Sequence, residues 1–131
     1  MSFPHFFWLA VILAVANSAV GAERMDGTKW KVKVTPDNES AGKGAKAFDD
    51  EFIFAEGQFT SKAMQAHGFK TGPYRLESEM DEVEWIADKE ASTGDTAGWG
   101  GRVDDKTTSG DFHWQKKDGP FFFYKFTATK E

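Results

Sequence analysis

The sequence predicts an all-β fold, an eight-stranded antiparallel up-and-down barrel with one short helical turn near 61–67. Three observations predict it. Apolar and polar side chains alternate with a period of two along most of the chain, the pattern of strands with one buried and one wet face. Turn residues recur after each alternating run at intervals too short for crossover helices, so successive strands are antiparallel neighbours. Aromatic residues make up 15% of the chain and gather on one side of the alternation. A twisted meander buries such a face by closing on itself. A two-sheet sandwich of the same strands is the alternative.

The first segment is a leader. An apolar run from Phe6 to Ala16 is followed by small residues ending in Val20-Gly21-Ala22, and the first charges are Glu23 and Arg24. This is the pattern of a secretory signal peptide, 1–22, cleaved after Ala22, which leaves 23–131 as a single barrel domain in the periplasm or outside the cell. A retained anchor is the alternative; Asn17 interrupts the run, which is shorter than the roughly 20 apolar residues that span a bilayer.

In Thr28–Thr35 the residues Trp30, Val32 and Val34 oppose Lys29, Lys31 and Lys33, giving the first strand; Pro36-Asp37-Asn38 ends it and a polar loop runs to Lys46. Phe48, Phe52 and Phe54 share a face of the second strand, with Asp50 on the same side, and Glu56-Gly57 turns into the third at Phe59. Ser61 to Gly68 breaks the rhythm: a serine N-cap, the helix formers Lys62, Ala63, Met64 and Gln65, and a glycine where a helix stops. Tyr74, Leu76 and Met80 then form the inner side of a fourth strand, and Val83, Trp85 and Ala87 that of a fifth. Trp99, Gly101 and Val103 face inward on the sixth, Gly110, Phe112 and Trp114 on the seventh, and Phe122, Tyr124, Phe126 and Ala128 on the eighth.

Composition excludes several function classes. The chain has no cysteine, so disulfides, zinc–thiolate sites and catalytic thiols are ruled out. Its formal charge of −5 argues against a nucleic acid or an anionic membrane surface as partner. Gly98, Gly100 and Gly101 lack the strand-to-helix setting of a phosphate loop and read as a bent strand or as room for a ring opposite. Glu77, Glu79, Asp81, Glu82 and Glu84 fall on the outward side and read as a solvated face that discourages edge pairing. His67 and His113 have no spaced partners for a metal site, and no serine sits in a nucleophile elbow. Asn38-Glu39-Ser40 is a glycosylation sequon in a eukaryotic setting. The expectation is therefore a non-enzymatic protein with neither cofactor nor metal.

The architecture resembles the calycin group, the lipocalin- and avidin-like barrels. Gly27-Thr28-Lys29-Trp30 is similar to the opening glycine–tryptophan signature of that group, with two residues between glycine and tryptophan where the family has one. On the last strand Lys125 is the cation nearest to the place of the lipocalin arginine. The chain also looks like a family of bacterial secreted proteins of the same size. The resemblance implies the barrel shape.

The functional hint lies in the rings assigned inward: Trp30, Phe52, Phe54, Tyr74, Trp85, Trp99, Phe112, Trp114, Phe122 and Tyr124. An eight-stranded barrel is about wide enough to be filled by side chains or to hold one small ligand. The sequence leaves two expectations open. One is a small apolar or aromatic ligand in the barrel mouth, oriented by Tyr74, Tyr124 and a tryptophan N–H. The other is a filled barrel that works through its outer surface as an interaction module.

Overall fold

The computed structural model describes residues 25–131; the expected leader, 1–22 with a cut after Ala22, lies outside the described residues. The strands are β1 (Thr28–Pro36), β2 (Phe48–Ala55), β3 (Gln58–Ser61), β4 (Gly72–Pro73), β5 (Arg75–Glu79), β6 (Glu82–Glu90), β7 (Thr96–Asp104), β8 (Thr107–Gln115) and β9 (Phe121–Lys130). They form one antiparallel sheet in the order β4-β3-β2-β1-β9-β8-β7-β6-β5. Sequence neighbours pair throughout, and β1 pairs with β9 from Trp30↔Lys130 to Pro36↔Tyr124. The two sheet edges, β4 and β5, are separated by Tyr74 alone, so the sheet curls until its edges meet and the barrel is nearly closed.

The strand count is nine where the sequence predicts eight. The stretch read as one strand from Thr71 to Met80 is divided: Gly72 and Pro73 pair with β3, and from Arg75 onward the chain pairs with β6. Pro73 has no N–H to give to a ladder, and the backbone N–H of Tyr74 turns aside to the Gly57 carbonyl at 3.2 Å. Met80, expected inside, sits at the hairpin turn and is 88% exposed.

Two short helices interrupt the strands. The expected one is α2 (Lys62–Gln65), capped by the Ser61 side chain, which accepts from the Met64 N–H. The segment read as loop contains another, α1 (Asn38–Gly42), whose cap is Asp37 accepting from the Ser40 N–H. Ser40 is itself buried, and its hydroxyl accepts from the Phe123 N–H at 2.8 Å, pinning α1 to β9.

The interior is organised on Trp85. Its ring lies 4.9–5.8 Å from Phe52, Phe54, Phe59 and Phe126, so one indole touches rings from β2, β3 and β9 at once. Its Nε1–H donates to Thr108 Oγ1 at 3.0 Å, just as Trp30 Nε1–H donates to Thr28 Oγ1 at 2.8 Å. These hydroxyls let two indoles be fully buried without an orphaned donor. Opposite Trp85 on β7 is Gly101: a Cβ there would stand 2.7 Å from Trp85 Nε1 and 2.8 Å from Thr108 Oγ1. The missing side chain is the space the indole occupies.

The seam between the edges is bridged by Lys89 of β6. Its ammonium donates to the carbonyls of Phe59, at 2.5 Å, and Lys70, at 2.7 Å, and lies 5.1 Å from the Phe59 ring. Loss of solvation on burial lowers its pKa from 10.5 to about 8. The neutral amine keeps two N–H donors, enough for the same two carbonyls.

Three variants test this packing. Gly101→Ala should destabilise the fold by about 1–3 kcal/mol in chemical denaturation, because its neighbours are a fixed indole and its hydroxyl partner. Gly98→Ala should cost less, since its new methyl meets the half-buried His113 ring on the outer face, which can swing away. The unfolded chain holds the Lys89 proton from pH 8 up to 10.5 while the folded chain releases it, so this group makes stability rise with pH across that window. Denaturation at pH 7.5 and 9.5 should show the difference between wild type and Lys89→Met widening in favour of wild type.

Candidate functional site

The two ends of the barrel are built differently. Two-residue turns at Glu56-Gly57, Met80-Asp81 and Asp105-Lys106 close one end. At that end the Tyr74 hydroxyl donates to Asp26 Oδ1 at 2.5 Å, and Asp26 in turn accepts from the Gly57 N–H at 3.1 Å. Burial, and then the Asp26 carboxylate, raise the Tyr74 pKa, so this phenol stays protonated and ties the chain entry to a turn. The longer connections 37–47, 62–71, 91–95 and 116–120 all fall at the other end, together with α1 and α2.

An open cleft of about 400 Å³ lies among these longer connections. Its apolar lining comes from Phe48 on β2, Met64 on α2, Trp114 on β8 and Phe122 and Tyr124 on β9. Lys46, Asp49, His67 and Lys116 line it as polar groups. The register explains the convergence. Trp114 and Phe122 are direct partners across β8 and β9, while Tyr124 lies two residues further along the same inward face. Below them Trp99, Phe112 and Tyr124 are cross-strand partners whose rings stack at 4.9 and 5.0 Å, making a continuous column under the cleft.

Each polar group at the cleft has a physical position to account for. The Trp114 indole N–H donates to Asp95 Oδ2 at 3.0 Å, and Asp95 Oδ1 accepts from the Lys117 N–H at 2.8 Å. Those two donors, the backbone one first, hold the Asp95 carboxyl below its ordinary value. The exposed His67 ring lies 4.7 Å from Trp114. The half-buried Lys116 ammonium stands 4.7 Å from the Trp114 ring and 5.1 Å from the Phe122 ring, a cation–π seat on two walls of the cleft. Burial raises the pKa of Tyr124, whose side chain lines the cleft. Behind the cleft, Asp50 ties β2 to α2: its carboxylate accepts from the Ser61 hydroxyl and from the Ala63 N–H at 2.8 Å, and burial pushes its pKa up.

Of the ten rings assigned inward from sequence, Trp114, Phe122 and Tyr124 line the cleft. Trp30, Phe52, Phe54, Trp85, Trp99 and Phe112 lie in the packed interior, and Tyr74 sits near the tight-turn end. Sequence reasoning missed Phe48, Met64, His67, Lys46 and Lys116 as cleft residues. The alternation places Phe48 on the correct face of β2, and the turn signals place Met64 and His67 in or beside α2. What was lacking was the folding of both connections over the same barrel end.

Gly98, Gly100 and Gly101 are on a strand, as read. Gly101 makes room for Trp85, and Gly98 is covered by His113. Glu77, Glu79, Asp81, Glu82 and Glu84 are exposed. Among the described residues no three histidine or carboxylate side chains converge to hold a metal ion. No protein-family model, no curated protein and no solved structure matches the chain.

Proposed function

We propose that this protein is a secreted, calycin-like, non-enzymatic barrel that binds a small apolar or aromatic molecule at its open end. The observation that carries the reading is the convergence of Trp114, Phe122 and Tyr124 on a cleft of about 400 Å³. That volume is within the range of small-ligand sites, roughly 300–1,000 Å³, which combine apolar walls with a few polar groups. The Tyr124 hydroxyl supplies one such group. The interior offers no comparable room along the Trp85 cluster, where rings stand 4.9–5.8 Å apart, so the ligand belongs at the mouth.

The alternative, a filled barrel that works through its outer surface, draws support from that same dense interior. The two readings divide on one titration. Intrinsic tryptophan fluorescence of the purified protein, followed against a panel of fatty acids, haem and aromatic metabolites, should change saturably with at least one class. The same titration on Tyr124→Phe should show weaker binding by about three- to tenfold, the loss of one neutral hydrogen bond of about 0.5–1.5 kcal/mol. A folded protein with unchanged fluorescence across the whole panel would leave the surface-module reading in place.

A further inference from the structure

The charge at the cleft has the opposite sign to the charge of the chain. The protein carries a formal −5, yet two of the four polar side chains that line the cleft are lysines, Lys46 and Lys116. Neither lysine is in an ion pair among the described residues, whereas Lys43, next to the same loop, is paired with Glu39 at 3.7 Å. Lys116 is half-buried, and its ammonium stands over the Trp114 and Phe122 rings.

Two carboxylates lie near, and among the described residues neither is in an ion pair with a cleft lysine. Asp95 accepts from the Trp114 indole and the Lys117 backbone N–H and acts on Lys116 only through space. Asp49 is exposed, lies opposite Lys33 in the β1–β2 ladder, and also borders the outer groove that contains Lys31 and Lys33. An anion entering the cleft would meet an ammonium already positioned over two rings and in no ion pair among the described residues, ready to donate a charge-assisted hydrogen bond.

Resting on the reading of this cleft as the ligand site, we infer that its ligand is a flat aromatic molecule carrying one anionic group, carboxylate or similar. The apolar part lies against Phe48, Phe122 and Tyr124, and the anion meets Lys116, with Lys46 as the second cation lining the cleft. The aromatic floor selects the flat body. The lysines select the charge, and they reject an aromatic amine of the same shape.

The test is calorimetric titration of the full protein with three probes of one shape: naphthalene-2-carboxylate, naphthalene-2-carboxamide and 2-naphthylmethylammonium. The carboxylate should bind about tenfold more tightly than the carboxamide, the yield of one charge-assisted hydrogen bond, and the ammonium should bind most weakly. In Lys116→Met, which keeps the apolar stem, the carboxylate's advantage should fall to about twofold or less while the carboxamide's affinity stays within about twofold of wild type. Equal affinities of carboxylate and carboxamide in wild type, or an advantage that survives Lys116→Met combined with Lys46→Met, would overturn the anion assignment and leave the mouth site standing. Failure of all three probes to bind a folded protein would remove the site and this inference together.

Discussion

The structure depends on one indole in one gap. Trp85 fills the space left open by Gly101, anchors its N–H on Thr108, and from there touches rings contributed by three other strands. A small chain without disulfides has to draw its stability from apolar burial, and aromatic rings bury about 150–250 Å² each. Rings, however, pack well only at defined spacings and angles. The glycine fixes where the largest of them can go, and the edge-to-face neighbours Phe52 and Phe54 follow from that choice. Truncating such a ring would cost about 3–5 kcal/mol, a large share of the stability of a domain of this size.

A filled interior moves any ligand chemistry to the ends of the barrel, and the ends are unequal because the connections are. Two-residue turns leave no backbone to build a rim, and at that end Tyr74 and Asp26 close the chain on itself. The longer connections at the opposite end cost little in loop entropy and bring α1, α2 and the 116–120 turn around a single opening. Rigidity behind that opening comes from three ties: Ser40 to the β9 backbone, Asp50 to α2, and Asp95 to Trp114. The cleft therefore has the longer connections for its rim and the stacked column Trp99, Phe112 and Tyr124 for its floor.

Period-two alternation was enough to place the inward faces of β1, β6, β7, β8 and β9, because each is a long strand with one wet side. It also places Asp50 on the buried side of β2, and the break in the rhythm, with a serine before helix formers, places Ser61 at the cap of α2. The division of β4 from β5 was not legible. It is decided by where the two sheet edges meet, a matter of barrel closure, and Pro73 marks it only once the partners are known. α1 was hidden because Asp37-Asn38-Glu39 reads equally as a turn and as a helix start. The cleft was legible only in its strand residues. His67 and Lys116 acquire a role from the way separate connections fold over one barrel end, which no local pattern encodes.

The central claim is that the barrel is filled within and binds at its open mouth. Proton–nitrogen correlation spectra of the indole N–H groups test it directly during a titration with naphthalene-2-carboxylate, because Trp30, Trp85 and Trp114 sample the core, its centre and the cleft wall. The account predicts that the Trp114 signal moves saturably while those of Trp30 and Trp85 stay in place. Movement of the Trp30 and Trp85 signals with Trp114 unaffected would place the ligand inside the barrel and contradict it.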